Sequence, residues 1–441
     1  MKKITFLLCI FSLLSTNSYA KEIEKKILIT NAKIFNGSDK LVEGKDVLVQ
    51  GNKIVKIASG IMVTQDANTT IIDAGGRTLT PGFIDMHAHT MLQMSFGVAS
   101  NSDEYYWAYV STQTAKLYLS MGFTTVRDVG GNSFSLKKAI DQGIVEGPRV
   151  FPSGPMLSQT SGHSDHRTDS YASKLVANEP SVFMKFNQVQ VADGETEVLV
   201  AVRENLRRGA SQIKICVGGG TGSYADPLDV TQYTSKEIKA AVNAAEDWGT
   251  YVMAHVYNSA GVQRAVENGV KCIEHGNLMD EAALQLMKDN DVWLSPQVIV
   301  FTYHPNGYTD DQKKKHDQAF DGIDNMFKAA KKIGFKKIVF GSDIVTSLDE
   351  LAHINNEFEF RTKWFTPTEI LNQATAISGE LLQLSGNRNP YPGEIGVIKD
   401  GALADILLMN GNPIKDITIL KDYKKNLVLI MKDGKIYKNT L

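Results

Sequence analysis

Alternation of apolar and polar positions distinguishes the two ends of the chain from its middle. Near the N-terminus, short alternating runs read ILITNAKIF, KDVLVQ and KIVKIAS, and Gly51-Asn52 joins the last two as a hairpin signal. The C-terminal runs ADILLMN and NLVLIMKDGKIYKN have the same pattern, with a second hairpin signal at Asp433-Gly434. Because neither β segment can bury two faces alone, we expect one small β-sandwich assembled from both chain ends.

The middle of the chain alternates short apolar runs with helical patterns. Eight strand candidates follow one another: FIDMHAH, TTVRDVG, RVFPSG, QIKICV, YVMAHV, KCIEHG, VWLSPQ and KKIVFGSD. Helix start signals lie between them, such as Thr234 with Glu237 three residues later. Eight such units predict the α/β class and a (β/α)8 TIM barrel of residues 81–387, between β-sandwich segments 21–80 and 388–441.

The first 20 residues have the pattern of a secretory signal peptide. Lys2 and Lys3 precede an apolar run that is too short to span a bilayer, and Ser18 and Ala20 supply the small residues of a cleavage site. Cleavage after Ala20 predicts an exported protein, periplasmic or secreted, without a stable membrane span. An uncleaved membrane anchor is the alternative.

The overall composition is that of an ordinary globular protein. Of 441 residues, 43% are hydrophobic and 22% charged, and the formal net charge of -2 lacks the basic surplus that nucleic-acid binding requires. A small-molecule or short-peptide substrate is therefore the expected partner, and the sequence leaves homo-oligomerisation open. Cys216 and Cys272 are too few for a disulfide framework, and we expect both to be buried structural thiols.

Four histidines and one aspartate stand where predicted strands end. His87 and His89 are two residues apart, so a strand would direct both imidazoles to one face, although His-x-His alone is more often incidental than metal-binding. His255, His275 and Asp343 end three further strand candidates. Because barrel enzymes build their active sites at the carboxyl ends of the strands, these positions predict a metal site at the barrel mouth.

Lys214 is a charged residue inside the apolar run QIKICV. A strand-end lysine with its amine in solvent is the ordinary interpretation, since a bare buried ammonium is unfavourable. Its position in the fourth strand candidate, on the same face as Cys216, favours instead a side chain that points into the barrel mouth.

Several segments together resemble the amidohydrolase superfamily: TLTPGFIDMHAHT, QIKICVGGG, AHVYNSAGVQRAVENGVKCIEHG, FGSD and GALADILLMNGNP. The resemblance covers the mature chain and is greatest to the branch of imidazolonepropionase-like proteins, metal-dependent prolidases and arginine or lysine carboxypeptidases. It implies two divalent ions, with Zn²⁺ the expected metal. The implied ligands are His87, His89 and Asp343 for one ion, His255 and His275 for the other, and a carboxylated Lys214 that bridges them.

The resemblance also implies a mechanism in which metal-activated hydroxide attacks an amide carbonyl. Asp343 would accept the water proton and pass it to the departing amine. His163 matches the family histidine that steadies the substrate carbonyl, which gives it a catalytic and substrate-binding role. Tyr233 resembles the tyrosine that binds the substrate α-carboxylate in peptidase members, although a lone tyrosine is more often a packing residue.

The remaining histidines have no such match. We expect His166 to face solvent in a loop, and His304 and His316 to lie on loop and helix surfaces. For His353 a surface position is favoured over an approach to the substrate. The run KKKH that ends at His316 predicts a solvated helix face, and GGGTGS predicts flexible access to the barrel mouth, because no Gly-Lys-Ser/Thr follows it to make a phosphate loop.

The favoured function is cleavage of a C–N amide bond by a dipeptidase or carboxypeptidase, prolidase-like or of the Arg/Lys type, on short peptides or N-acyl amino acids. A cyclic-amide hydrolase of imidazolone type is the alternative within the same chemistry. Mononuclear deaminases are less favoured, because VYNSAG follows His255 where they have an acid. A non-catalytic scaffold is less favoured still, since all six ligand positions are present.

Overall fold

The computed structural model describes residues 25–177 and 179–441. The predicted signal peptide, residues 1–20, lies outside these ranges. Within them, no helix combines the length and the apolar character needed to cross a bilayer.

The strands of the described residues fall into three sheets. In chain order they are β1 (Lys26–Ile34), β2 (Val42–Gln50), β3 (Lys53–Ala58), β4 (Thr69–Asp73), β5 (Thr78–Pro81), β6 (Phe83–Ala88), β7 (Phe123–Asp128), β8 (Arg149–Pro152), β9 (Met156–Ser158), β10 (Val189–Val191), β11 (Ile213–Cys216), β12 (Val252–Asn258), β13 (Cys272–Leu278), β14 (Trp293–Ser295), β15 (Ile406–Met409), β16 (Leu427–Lys432) and β17 (Lys435–Asn439).

The α-helices lie mostly between the strands of the middle region. They are α1 (Phe96–Ser100), α2 (Glu104–Ser120), α3 (Phe134–Asp141), α4 (Val182–Lys185), α5 (Gly194–Arg207), α6 (Ser235–Asp247), α7 (Ser259–Glu267), α8 (Glu281–Asp289), α9 (Asp310–Lys332), α10 (Leu348–Leu351), α11 (Asn356–Phe360), α12 (Pro367–Gln373), α13 (Ala376–Leu382) and α14 (Tyr423–Asn426). The predicted start of α6 is confirmed, because Thr234 and Glu237 form a capping box.

One mixed sheet unites both ends of the chain. Its strand order is β17-β16-β15-β5-β1-β2-β3, with β4 paired to β1, and β15 runs antiparallel to β5. Both predicted hairpins are confirmed, and in the second Asp433 and Gly434 adopt φ of 56° and 70°, as a tight two-residue turn requires. The pairing connects all eight strands in one sheet, so the two-layer sandwich stays a proposal.

Parallel strands fill the middle of the chain, which confirms the α/β class. β6-β7-β8 form one sheet and β10-β9-β11-β12-β13-β14 form another. Seven of the eight predicted strand segments form strands, whereas KKIVFGSD contributes only an isolated bridge between Leu294 and Ile338. The short strands β9 and β10 had no signal in the sequence pattern.

Backbone hydrogen bonds connect the two parallel sheets directly at one edge and through the eighth segment at the other. The Ser211 amide donates to the Pro152 carbonyl at 2.8 Å, and the Met86 amide donates to the Phe340 carbonyl at 2.8 Å. The described residues therefore form no continuous closed ladder, and the expected (β/α)8 barrel is not shown as such. The eighth segment leaves the extended conformation at Asp343, where φ is 56°. The shared strand direction still brings the carboxyl ends of both sheets together.

Candidate metal centre

Three predicted ligands meet where β6 ends. His87 Nε2 lies 3.1 Å and His89 Nε2 lies 3.2 Å from Asp343 Oδ1. One donor atom from each of the three residues can be chosen so that all lie within 4.8 Å of one another. Both imidazoles are buried and the carboxylate is half-buried, so the group faces an enclosed space rather than open solvent.

The opposite nitrogens of the two imidazoles are held in place by other groups. His87 Nδ1 lies 2.8 Å from Glu274 Oε2, and His89 Nδ1 lies 3.0 Å from the Gly130 carbonyl oxygen. A histidine that donates one ring N–H in this way presents its other nitrogen in a fixed direction. The two Nε2 atoms are thereby directed at Asp343.

His255 and His275 border this group from the neighbouring strands β12 and β13. The His275 ring centroid lies 4.9 Å from that of His87 and 4.5 Å from that of His255. His275 Nδ1 approaches Asp343 Oδ2 to 3.8 Å, and His255 Nε2 lies 3.0 Å from the Gly219 carbonyl oxygen. The structure therefore brings all four predicted histidines and Asp343 to one place.

The chemistry of these donors fits a divalent cation. His275 Nδ1 is buried and has no hydrogen-bond partner within the described residues. Leaving a buried polar group unpaired costs about 1–3 kcal/mol, unless a ligand satisfies it. Imidazole nitrogens with a carboxylate oxygen are the donors that Zn²⁺ prefers in proteins. The residues present therefore suit the metal that the sequence predicted.

Two histidines and the aspartate of the cluster have protonation states that suit metal binding. Burial alone would lower the pKa of His87, but Asp343 and Glu274 raise it above the usual histidine value. Burial lowers the pKa of His255 and of His275 well below the usual histidine value, so both rings are neutral at pH 7. Burial alone would raise the pKa of Asp343, but His87, His89 and His275 hold it well below its usual range. Neutral imidazole and ionised carboxylate are the forms that bind metal.

Two of these residues adopt a backbone conformation that is rare outside glycine. The φ angle is 72° at His275 and 56° at Asp343. Left-handed backbone at a non-glycine residue is unfavourable and concentrates at functional sites. At both positions the side chain approaches the cluster.

Lys214 lies in the wall of the same enclosed space. It stands on β11, is 2% exposed, and has no hydrogen bond or ion pair within the described residues. The interpretation with the amine in solvent is thus wrong. Cys216, two residues on, lies outside the cavity lining and contacts Ser164 Oγ at 3.3 Å; burial raises the pKa of its thiol. Both Cys216 and Cys272 are free and buried, as predicted.

His163 covers one side of the cluster. Its ring stacks on that of His255, with centroids 3.9 Å apart and planes 7° apart. His163 Nδ1 lies 3.0 Å from Ser223 Oγ, which leaves Nε2 available to a ligand. Burial lowers the pKa of His163 well below the usual histidine value, so its ring is neutral at pH 7.

A cavity of about 900 Å³, counted to its open mouth, contains all of these side chains. The candidate ligands form one part of its lining. Most of the remaining wall is apolar: Leu92, Met94, Phe96, Ala99, Trp107, Met156, Phe183, Val300, Phe301 and Val345.

Comparison with known proteins gives the family. The family model described as the amidohydrolase family matches residues 78–437, which is most of the chain. The chain belongs to the amidohydrolase family. As members of this family are hydrolases that act on C–N bonds and generally depend on metal, the match agrees with the donor set described above.

Similar members of the amidohydrolase family act on amide bonds. Ochratoxinase from Aspergillus niger is 29% identical over 381 residues, which cover 82% of this chain and 75% of that protein. Among solved structures, a prolidase complexed with N-methylphosphonate-L-proline is 33% identical with a TM-score of 0.86, covering 94% of this chain and 100% of that one. A Xaa-Pro dipeptidase with methionine bound in its active site is 31% identical with a TM-score of 0.81, again covering 94% and 100%.

The structure of this amidohydrolase adds a buried ion pair that sequence analysis missed. Glu274, next to His275, is fully buried and contacts Arg127 Nη2 at 2.6 Å through Oε1. Its other oxygen contacts His87, as described above. The signal in the sequence was Glu274 inside the run KCIEHG and Arg127 inside the run TTVRDVG. A charged side chain inside a buried strand needs a partner within the fold.

Tyr257 lines the cavity, whereas Tyr233 does not. Tyr257 is buried and its ring lies parallel to that of His275 at 4.9 Å. It follows His255 by two residues on β12, a spacing that places both on one face and that could have identified it. Tyr233 is also buried, but its hydroxyl has no hydrogen-bond partner within the described residues. The predicted role of Tyr233 in substrate binding is therefore without support from the cavity.

Two of the histidines without a family match are placed differently from our expectation. His166 is not solvent-facing: it is half-buried, lines the cavity, and lies 5.0 Å from the Phe183 ring. His316 lies on α9 and is buried, and its ring centroid is 5.1 Å from that of Phe301. His304 and His353 are exposed, as predicted.

The glycine-rich segment 218–223 is held firmly by α9, which corrects both predictions made for this region. Gln312 Nε2 donates to the Gly222 carbonyl at 2.6 Å, and Lys315 Nζ donates to the Ser223 carbonyl at 2.7 Å. Lys315 and His316 are buried whereas Lys314 is exposed, so only part of the run KKKH is a solvated helix face. A Cβ on Gly220 would lie 1.7 Å from His163 Nδ1, so the glycine permits close packing there rather than flexible access.

Replacing Glu274 with Gln should weaken metal retention by about 10- to 100-fold, because the charge that holds both His87 and Arg127 is lost. Zinc per chain, measured by elemental analysis after dialysis against a weak chelator, checks this. Glu267→Gln, on the exposed side of α7, is the control and should retain zinc like the unaltered protein. Equal retention in both variants, with equal circular dichroism, would show that Glu274 does not position His87.

Proposed function

We propose that this amidohydrolase is a binuclear metal enzyme that hydrolyses the amide bond of short peptides or N-acyl amino acids. The observation that carries the proposal is the meeting of His87, His89 and Asp343 in the cavity, beside a His275 Nδ1 that has no hydrogen-bond partner within the described residues. Resemblance to prolidase, Xaa-Pro dipeptidase and ochratoxinase structures supports an amide substrate.

In the proposed arrangement His87, His89 and Asp343 hold one ion, and His255 and His275 hold the other. Divalent ions bound there supply Lewis acidity to a carbonyl oxygen and lower the pKa of water. Zn²⁺ is the favoured metal because its usual protein ligands are those present.

The chain's own groups move the protons and orient the substrate. Asp343 is ionised and lies between the imidazoles, so it can accept a proton from the attacking water. Oxygen from water is added to the acyl carbon, the C–N bond breaks, and the same proton passes from Asp343 to the departing nitrogen. His163 Nε2, which has no hydrogen-bond partner within the described residues, holds the carbonyl oxygen in this proposal as negative charge develops on it.

Asp343→Asn should lower kcat on any amide substrate by at least about 10³-fold, because the amide cannot accept the water proton. The test is release of free amine from a panel of dipeptides and N-acyl amino acids by zinc-loaded protein. Chelated protein should be inactive and regain activity with added Zn²⁺. No turnover of any substrate by the loaded protein would overturn the function, and full activity of Asp343→Asn would remove Asp343 from proton transfer.

We further propose that Lys214 is carboxylated and bridges the two ions. The neutral amine attacks carbon dioxide, a proton is released, and an anionic carbamate replaces the buried positive charge. Support comes from its 2% exposure and from the lack of any ion-pair partner within the described residues.

Protein loaded with zinc in ¹³C-bicarbonate should therefore give one ¹³C carbamate signal that Lys214→Arg lacks, because the arginine does not form the adduct. Lys432→Arg, at a buried lysine that donates to the Gly147 carbonyl far from the cavity, should keep the signal. The NMR spectra of the three proteins compare directly. A signal that persists in Lys214→Arg contradicts the carbamate assignment.

The finer architecture and the location are also proposals. We propose that the parallel strands form the family's (β/α)8 barrel over residues 81–387, with the mixed sheet acting as a β-sandwich domain of residues 21–80 and 388–441. Support for the barrel comes from the backbone hydrogen bonds that connect the two parallel sheets, directly at one edge and through the eighth segment at the other.

Export follows from the signal pattern of residues 1–20 alone. If the segment is removed after Ala20, protein isolated from the periplasm or medium should begin at Lys21, since the small residues before that bond are what the signal peptidase recognises. N-terminal sequencing measures this. Recovery of the chain only inside the cell with its first residues intact would exclude export.

A further inference from the structure

Part of the cavity lining is an aromatic wall, formed by Phe96, Trp107, His166 and Phe183. Phe183 is central: its ring centroid lies 5.4 Å from Phe96, 5.4 Å from Trp107 and 5.0 Å from His166. The rings are tilted or edge-on to one another, so they are held by mutual packing in the favoured geometries of aromatic pairs. Leu92, Met94 and Met156 extend this apolar surface.

The aromatic wall itself contains no acid, lysine or arginine. Among the described residues that line the cavity, Asp343 is the sole acid and Lys214 the sole lysine or arginine. His166 adds no charge to the aromatic wall, because burial lowers its pKa to about 4 and its ring is neutral at pH 7. A charged substituent against this wall would lose its hydration and find no counter-ion.

The wall is also built to stay open to a ligand. Phe96 is half-buried as the first residue of α1, whose N-cap Ser95 accepts from the Val98 amide. Trp107 is held from behind, since its Nε1 donates to the Ala99 carbonyl at 3.3 Å. The ring faces are therefore fixed before a substrate arrives, and an apolar group entering the cavity displaces water from a preformed surface.

We propose that the aromatic wall receives one substituent of the scissile amide and selects a large neutral apolar group there, such as a phenylalanine, leucine or methionine side chain. Side chains of lysine, arginine, aspartate and glutamate are excluded from that position. The inference rests on the proposed amide hydrolysis. Of the prolidase-like and Arg/Lys peptidase types that the sequence favours, it argues against the Arg/Lys type, because basic side chains are excluded.

The test is kcat/KM for two series of dipeptides on the zinc-loaded full chain. One series varies the N-terminal residue among Phe, Leu, Lys and Glu with alanine in second place, and the other varies the C-terminal residue. In one series, Phe and Leu should exceed Lys and Glu by at least about 100-fold, because the uncompensated charge is excluded from the apolar wall. Lys or Glu within about threefold of Phe in both series overturns the inference and leaves amide hydrolysis standing. No turnover in either series overturns the proposed function itself.

Variants of Phe96 locate the preference in the wall. Phe96→Ala should lower the ratio of kcat/KM for Phe substrates to that for alanine substrates by at least about tenfold. Phe96→Glu should raise the Lys-to-Phe ratio by at least about 100-fold, and a helix N-terminus tolerates an acid at this position. Phe186→Ala is the matched control: it is half-buried and its ring lies 5.9 Å from Trp107, but it lies outside the cavity lining.

Zinc content and circular dichroism establish that each variant is folded. With both unaltered, an unchanged Lys-to-Phe ratio in Phe96→Glu, or an equal loss in Phe186→Ala and Phe96→Ala, places selectivity elsewhere and overturns the inference. If Phe96→Ala fails to fold, Phe96→Glu together with the two substrate series still decides the question.

Discussion

Glu274 is a carboxylate with no access to solvent, and its ionised form is stable there only because cationic and N–H groups surround it. Burial would raise the pKa of Glu274, but Arg127 and His87 hold it well below its usual range. Arg127 also donates to the Met86 carbonyl and to the Tyr251 hydroxyl, so one guanidinium contacts β6 and the residue before β12. The orientation of His87 depends on this pair, and the arrangement of the remaining donors depends on His87 and Asp343.

The cost of burying charged groups without partners also explains why the candidate metal centre lies where the strands of the two parallel sheets end. An ion pair, four imidazoles and a lysine cannot be dispersed through an apolar interior without large desolvation penalties. The alternate side chains of these strands below the centre are apolar, among them Ile84, Met86, Met253 and Val339. Polar groups are thus collected at the carboxyl ends, where a substrate or a metal can satisfy them.

Structural features that follow from the local spacing of residues could be predicted from the sequence. His87, His89, His255 and His275 stand at strand ends, and parallel strands bring such ends together, so their proximity follows from the pattern alone. The hairpin at Asp433 and the capping box of α6 followed from equally local signals. The metal roles themselves stay predictions, since proximity does not establish what binds.

Features that depend on packing between distant segments could not be predicted in this way. His166 and Phe183 meet only because the loop after β9 folds over α4, and Lys315 reaches the Ser223 carbonyl only because α9 crosses the glycine-rich segment. The eighth strand segment pairs through isolated hydrogen bonds instead of a ladder, and Asp343 at its end leaves the extended conformation. The residue types alone do not indicate that these side chains lie close together.

The mixed sheet has a consequence for the order in which the protein is made. Its central pairing joins β5, near the start of the chain, to β15, near the end, with Pro81 opposite Ile406. Strands β1 to β5 therefore emerge from the ribosome long before their partners exist, with an unpaired edge exposed in the meantime. Assembly of that sheet is a late, high-contact-order step, and synthesis must reach the last strands before the edge can be closed.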